Sequence, residues 1–445
     1  MPMSKTFRPW DVDQVWLLPP SIQDLVPAGH LAHFVRETVC DGLDLSRIMD
    51  AYGEERGYPP YHPGMMVALL LYAYSQGVYS SRRIARGCEE RLDFAAVTGM
   101  QRPDFRTVSD FRKRHLTALS ELFVQVLKLC RTAGLVKLGH VALDGTKIKA
   151  NASKHKAMSY GRMKLAEPAL ASEVDRWLAQ AAECDRAEDR RHGVDKRGDE
   201  MPDWVANKQQ RLAKIRAAKA ELEAEARAAA SQADDGDGPS AGNPRAALNR
   251  KAAPPAPDDK AQRNFTDPDS RIMKTKDGFI QGYNAQAAVD GQAQIIVAQG
   301  LTASSSDQAQ MASLLDAIKA DTGRNPDEVS ADAGYCSEAN LRTVAKRRIA
   351  GYIATGRQRH GTAAAVNRRR QRSGTLVARM TLKLKRAGRR SRYRLRKQIV
   401  EPVFGQIKHA RGFRQFLLRG IEKARCEWAI VCAVHNLTKL AAAVA

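Results

Sequence analysis

The distribution of hydrophobic and polar residues divides the chain into a helical first part and a later part that mixes strands with helices. Over residues 1–135, apolar side chains recur at the three- and four-residue spacing of amphipathic helices. Pro63 and either Asp104 or Thr107 stand where two of these helices would begin, because proline suits the first turn and a short polar side chain caps it. We therefore predict an all-α N-terminal domain over residues 1–135.

Residues 136–154 and 266–445 carry a different pattern, in which short apolar runs end in glycine, aspartate or other turn residues. The predicted strands are His140–Asp144, Phe279–Val289, Ile295–Gln299, Val329–Asp332 and Tyr352–Thr355. The predicted helices are Ser306–Ala320, a helix from Ser337 to Ala350 that Gly351 stops, and a helix that starts or kinks near Glu401. This alternation of strands and helices predicts a mixed α/β domain.

Residues 155–265 interrupt the α/β pattern with charged helices around Trp177 and Trp204. Residues 231–260 are rich in aspartate, glycine, proline and alanine, a composition typical of a disordered linker. We interpret the whole segment as a helical insertion. A spacer, a dimerising coiled coil and an accessory DNA contact all stay open as its role.

The net charge of the chain is concentrated in one block. The 445 residues include 72 Lys and Arg against 49 Asp and Glu, a formal net charge of +23. Residues 341–420 hold 24 of the bases and one acid, Glu401, which leaves 48 bases and 48 acids elsewhere. This concentration favours a polyanion-binding surface, with nucleic acid as the first candidate, over a general solubility shell. A disordered basic segment over Arg357–Arg396 that binds any polyanion is the alternative.

Several classes of protein are excluded by what the sequence lacks. No apolar run reaches the roughly 18 residues of a membrane span, and residues 1–20 lack the apolar core of a signal peptide. The seven cysteines are scattered without a CxxC pair, so neither a disulfide framework nor a zinc site is expected. These features predict a cytoplasmic protein that is associated with the nucleoid when it binds DNA.

Three acids are the strongest candidates for chemistry. Asp144 and Asp332 each end an apolar run, where α/β sheets place their ligands, and Glu401 is the single acid of the basic block. Taken alone, each acid is more simply interpreted as a helix cap or a salt-bridged strand end. The three acids together indicate a site for a hard cation, Mg²⁺ or Mn²⁺. Two such ions about 4 Å apart can activate a water or 3′-hydroxyl and stabilise the leaving oxygen of a phosphodiester.

Cations near these acids are candidate contacts for DNA phosphates. Lys408 lies two helical turns after Glu401, and Arg411 and Arg414 follow close to the same stripe, although a solvated basic face fits these cations better. In the N-terminal part, Arg112 and Arg114 lie on the second helix of a possible helix-turn-helix, for which an ordinary helical bundle is a slightly better interpretation.

Several segments resemble motifs of DDE-type bacterial insertion-sequence transposases. The acidic motifs are Leu143–Lys147, Ser330–Tyr335 and Ile399–Lys408, and Gly282–Gln286 is similar to the strand before the second acid. The N-terminal similarity lies in Leu17–Pro20, Tyr61–Met66 and Pro103–Arg112. These segments occur in the family's order and cover nearly the whole chain except residues 155–265.

The resemblance implies a ribonuclease H-like catalytic domain over residues 136–154 and 266–445, with flanking helices, beside the helical insertion. It also implies that Asp144, Asp332 and Glu401 bind two Mg²⁺ ions, for which Mn²⁺ can substitute. The implied reaction is cleavage and strand transfer at terminal inverted repeats of double-stranded DNA, by a homodimer, with Lys147 among the DNA contacts.

The family's signature around the glutamate is matched only in part. Lys408 stands at the expected distance after Glu401. Tyr393 and Arg396 keep their mutual spacing but stand one residue too early, so that Lys397 could replace the charge of the arginine. Two other functions remain open, a catalytically inactive DNA-binding protein derived from a transposase and a ribonuclease H-like DNA nuclease without strand transfer.

Overall fold

A computed structural model of the chain describes residues 21–52, 60–192, 203–234, 256–275, 278–356 and 374–444. The motif Leu17–Pro20, most of the linker predicted over residues 231–260, and residues 357–373 of the basic block lie outside the described residues. The chain forms two compact units, one of Met1–Lys137 with Ile430–Ala445 and one of Leu138–Ala429. The functional domain boundaries derived from the sequence remain predictions.

The first unit is helical. Its helices before residue 138 are α1 (Leu31–Glu37), α2 (Ser46–Met49), α3 (Pro63–Ser75), α4 (Ser81–Glu90), α5 (Leu92–Thr98), α6 (Phe105–Arg114) and α7 (Leu116–Thr132). Pro63 begins α3, and Asp104 caps α6 by accepting from the backbone N–H groups of Arg106 and Thr107. Both predicted helix starts are therefore confirmed. Every residue from Met66 to Tyr74 is buried, so α3 forms the centre of this unit.

A six-stranded sheet forms the centre of the second unit. The strands are β1 (His140–Lys149), β2 (Ala157–Ser159), β3 (Gln262–Asn264), β4 (Arg271–Thr275), β5 (Gly278–Asp290), β6 (Ile296–Thr302), β7 (Glu328–Ala331) and β8 (Ala350–Ile353). The order is β6–β5–β1–β7–β8, with β4 beside the start of β5, while β2 and β3 form a separate ribbon. Strand β5 is antiparallel to β1 and β6, whereas β1, β7 and β8 are parallel. This is the ribonuclease H-like arrangement, which confirms the predicted fold class.

Seven helices are described after β1. They are α8 (Tyr160–His192), α9 (Asp203–Asp234), α10 (Gln310–Thr322), α11 (Glu338–Lys346), α12 (Leu376–Ala387), α13 (Leu395–Gly405) and α14 (Ile421–Val444). Helices α8 and α9 form the predicted helical insertion. Among the described residues, no helix is both long enough and apolar enough to cross a membrane.

Two predicted element boundaries near the candidate site are wrong. Strand β1 does not end at Asp144 but continues to Lys149, because β5 pairs with it along that whole length. Helix α11 ends at Lys346, and Gly351 lies within β8, where it pairs with Val329 of β7. In both cases the boundary depends on pairing with a strand that is distant in sequence, and not on the residues next to the boundary.

Glu401 lies inside α13 and not at its start, although Pro402 follows it. Proline has no backbone N–H, so an interior proline leaves the carbonyl one turn earlier without its helical donor. Here Gln294 replaces that donor, because its Nε2 donates to the carbonyl oxygen of Gln398 at 3.0 Å. The buried side chains of Val400, Phe404 and Ile407 confirm the predicted inward face of this helix.

Candidate active site

Asp144 and Asp332 lie side by side because two parallel strands stop pairing at the same level. The last pair between β1 and β7 joins Leu143 to Ala331, and an acid follows each of these residues. The side chain of Asp332 accepts from the backbone N–H of Gly334 at 2.8 Å and so caps the short 3₁₀ turn after β7. The structure thus places two of the three predicted acids at one edge of the sheet.

Arg396 connects the first and the third predicted acids. Its Nη1 donates to Asp144 Oδ2 at 2.6 Å, and its Nη2 donates to Glu401 Oε1 at 3.3 Å. The side chains of Arg396 and Asp144 are only 11% and 16% exposed, whereas that of Glu401 is 49% exposed. Helix α13 therefore brings both a carboxylate and a guanidinium to the acidic edge of β1.

The environment of Asp144 disfavours an isolated negative charge. Burial raises the pKa of Asp144 from 3.8 to about 6, and the neighbouring carboxylates of Asp332 and Asp307 act in the same direction. The Arg396 guanidinium opposes this effect but does not outweigh it. A buried carboxylate with like-charged neighbours is stabilised by added positive charge, so this site favours a cation.

Asp307 is a fourth carboxylate of the site that the sequence did not indicate. Its Oδ1 accepts from Asn284 Nδ2 at 2.7 Å and from Gln286 Nε2 at 2.6 Å. A Cβ atom added to Gly145 would lie 2.5 Å from the same oxygen, so a larger residue next to Asp144 would force these hydrogen-bonded side chains to shift. The sequence placed Asp307 inside a helix from Ser306, whereas α10 begins at Gln310, and no signal in the sequence distinguishes this acid.

Two predicted DNA-contacting lysines are bonded to the scaffold of the site. Lys147 donates to the carbonyl oxygen of Ser305 at 2.9 Å and lies 3.8 Å from Asp307 Oδ1. Lys408 donates to Thr146 Oγ1 and to the carbonyl oxygen of Lys147, both at 2.9 Å. Burial lowers the pKa of both lysines, and Arg414 lowers that of Lys408 further. The contacts of Lys408 tie the segment after α13 to β1, and those of Lys147 tie β1 to the segment before α10.

The structure shows which side chain before Glu401, Arg396 or Lys397, faces the acids. Arg396 points to the acids, while Lys397 is exposed, so the arginine itself takes the inward position and Lys397 does not replace it. Tyr393 is buried beside Ala354 and Leu384, and burial raises the pKa of its phenol. Tyr393 therefore packs in this small cluster, and its phenol also interacts with the Arg396 guanidinium, which acts to lower its pKa.

The remaining predicted DNA contacts have unequal exposure. Arg414 is exposed and Arg411 is partly exposed, and Arg114 is exposed on α6 with its guanidinium 5.0 Å from the ring centroid of Tyr52. Arg112 is buried at 6% exposure, and it donates to Tyr74 Oη, to the carbonyl oxygen of Tyr79 and to Ser81 Oγ. The prediction that Arg112 contacts DNA is therefore wrong, because it braces α6 against its neighbours.

The donor atoms of the site fit a hard divalent cation. Asn284 Oδ1 lies close to Gly145 and is buried without a hydrogen-bond partner among the described residues. The surrounding acids offer carboxylate oxygens, the ligands that Mg²⁺ and Mn²⁺ prefer. Within the described residues no three Asp, Glu, His or Cys side chains approach closely enough to hold one ion together. The guanidinium of Arg396 lies between Asp144 and Glu401 and keeps these two carboxylates apart.

Two family models match the chain. Residues 255–437 match a transposase DDE domain, and residues 20–114 match a transposase domain designated DUF772. The first match contains Asp332 and Glu401 and begins after Asp144, whose assignment to the site rests on its geometry. No curated protein and no solved structure gives a significant match. The DDE domain implies dependence on a divalent metal ion and DNA as the partner. Its acids, its fold and these two matches show that the chain belongs to the DDE-type insertion-sequence transposases.

Proposed function

We propose that the protein cleaves phosphodiester bonds at the inverted repeats of a mobile element and joins the freed 3′ ends to target DNA. The observation that carries this proposal is the convergence of Asp144 and Glu401 on one buried guanidinium, beside Asp332. Carboxylates from β1, β7 and α13 thus surround a site that already holds one positive charge. Cations bound between these acids would offset their negative charge, which a polyanionic substrate requires in order to approach them.

In this proposal Asp144, Asp332 and Glu401 hold two Mg²⁺ ions, with Mn²⁺ as a substitute. When bound, the ions would activate a water or 3′-hydroxyl and stabilise charge on the leaving oxygen. Asp307 holds the amide side chains of Asn284 and Gln286 in place next to Gly145. It thereby keeps the space beside Gly145 narrow, with Gln286 Nε2, Asp307 Oδ1 and Asn284 Oδ1 around it.

Under this proposal Arg396 first pairs with the acids and later with DNA. It must move away from Asp144 and Glu401 before both carboxylates can bind an ion, and its freed guanidinium is then available to a DNA phosphate. Lys397, Arg411 and Arg414 are at least partly exposed on and after the same helix and supply further phosphate contacts. Binding of two DNA ends by a homodimer is part of the proposal.

The test is incubation of the purified protein with DNA that carries the element's end, in Mg²⁺ or Mn²⁺, with mapping of nicks and joined products. Asp144→Asn, Asp332→Asn and Glu401→Gln should each abolish cleavage and keep DNA binding, because they remove charge without removing volume. Asp327→Asn is the matched control, since this acid is 66% exposed in an ion pair with Arg324 away from the three acids.

The products separate the proposed reaction from its alternatives. Nicks followed by joined products support transposition, and nicks without joining indicate a nuclease. DNA binding without any cleavage by the unaltered protein would indicate an inactive derivative. Cleavage that persists in one of the three acid variants would remove that acid from the site.

A further inference from the structure

The insertion carries a ribbon that is packed on a helical hairpin. Glu167 of α8 contacts Arg216 and Lys219 of α9, while Glu173 contacts Lys208, so the two helices run antiparallel. The β2–β3 ribbon joins them through a shared apolar cluster. The cluster consists of Met158, Tyr160, Met163, Ile215, Ala218 and Leu222. The insertion therefore has its own small core, and its surface side chains are held on a defined scaffold.

An open cleft of about 540 Å³ lies between the ribbon and the hairpin. Its charged lining consists of Lys156, Arg162, Arg211 and Lys214, joined by His155, and no described carboxylate lines it. The neutral polar side chains of Asn207 and Gln210 lie on the same stripe of α9 as Arg211 and Lys214, at helical spacing. We call this surface the insertion cleft.

The cations of the insertion cleft differ from four neighbouring cations of the same helices. Lys164 pairs with Asp259 at 2.7 Å, and Lys208, Arg216 and Lys219 all contact acids across the hairpin. By contrast, the four Lys and Arg residues of the cleft are exposed and form no salt bridge with any described residue. The four cleft cations thus differ from these four neighbours, because they face an open cleft together and the neighbours are paired with acids.

Like charges that share a cleft repel one another, so this arrangement gains stability from an external anion. The cations come from the residue before β2 and from both helices, and uncharged amides lie between them, a combination typical of contacts to a nucleic-acid backbone. A duplex presents phosphates at a regular spacing that several separate cations can engage at once.

We propose that the insertion cleft binds the phosphate backbone of double-stranded DNA without reading its sequence. The proposal rests on the proposed function only in taking DNA as the partner. It assigns to the insertion, which lies almost wholly outside the matched family segments, the role of an accessory DNA contact. The cleft adds affinity that is equal for element ends and for unrelated duplexes.

The experiment compares two quadruple variants of the full chain that lose the same charge. The cleft variant carries Lys156→Ala, Arg162→Ala, Arg211→Ala and Lys214→Ala. The control variant carries Lys164→Ala, Lys208→Ala, Arg216→Ala and Lys219→Ala, which removes cations that already have acidic partners. Circular dichroism and the unfolding midpoint check that both variants fold. Binding to an end duplex and to a random duplex is measured by anisotropy over a series of salt concentrations.

The cleft variant should bind both duplexes about tenfold or more weakly, and its slope of log K against log salt should fall by about 2 to 4. The control should stay within about twofold of the unaltered protein, because its cations are already paired. Equal binding by the two variants, or a loss confined to one duplex sequence, would overturn the proposal. A loss seen with single-stranded RNA or an acidic polypeptide but not with duplex DNA would overturn it as well. Absence of cleavage by the unaltered protein would refute the proposed function and leave this inference intact.

Discussion

Replacing Asp144 with asparagine should stabilise the metal-free protein at neutral pH while it removes activity. The structure holds this carboxylate at 16% exposure next to two other carboxylates. Burial is the largest influence on its pKa, and the attraction of Arg396 is already included in the resulting value of about 6. Asparagine has nearly the same shape as the protonated acid, so the variant should behave as Asp144 does when it is neutral.

The magnitude follows from the two pKa values. The folded pKa of about 6 lies above the ordinary value of 3.8 that applies to the unfolded chain. Ionised Asp144 therefore lowers stability fully above about pH 6, and this cost disappears as the pH falls toward 3.8. The rise corresponds to about 3 kcal/mol at about pH 7.5 and to about 1 kcal/mol at about pH 4.5.

The assay is hydrogen exchange of the backbone amides of β1 in the presence of a chelator, which reports the opening free energy of this strand. Asp144→Asn should raise that free energy by about 3 kcal/mol at neutral pH, and the gain should shrink in acid. The exposed control Asp327→Asn should change it by less than about 0.5 kcal/mol. A variant that is less stable than the unaltered protein at neutral pH, or a gain that does not depend on pH, would refute the reasoning.

Three further outcomes are expected from the same site. Arg396→Ala should destabilise the metal-free protein by about 3 kcal/mol at neutral pH in urea unfolding, because Asp144 loses its buried partner. Added Mn²⁺ should restore most of this stability, and no recovery would contradict the prediction. Gly145→Ala should cost about 1–3 kcal/mol, since its Cβ would lie 2.5 Å from Asp307 Oδ1. Gly405→Ala would meet no described atom within 4 Å, so it should leave the unfolding midpoint unchanged or raise it. Gln294→Ala should lower the stability of the protein by about 1 kcal/mol, because the Gln398 carbonyl loses its donor. The loss should be smaller in a Pro402→Ala background, where the N–H of the introduced alanine can serve as the helical donor. Equal losses in the two backgrounds of this double-mutant cycle would argue against the contact.

Much of the fold could be predicted because its signals are local. Asp104 and Pro63 mark helix starts through chemistry that involves only the next few residues. The hairpin of β5 and β6 was visible in the apolar runs on either side of Asp290. The predicted element boundaries were wrong where a strand distant in sequence determines them. Pairing with β5, for example, extends β1 past Asp144.

The sequence by itself determined the α/β order, the basic block and the choice of Asp144, Asp332 and Glu401 as candidates, since each shows in its own neighbourhood. Only the tertiary structure revealed that Arg396 bridges two of these acids, that Asp307 joins them and that Arg112 is buried. It also separated the paired cations of the insertion from those that face its cleft. The physical reason is range: helix caps and apolar runs act over a few residues, whereas burial and charge pairing join side chains that lie tens to hundreds of residues apart.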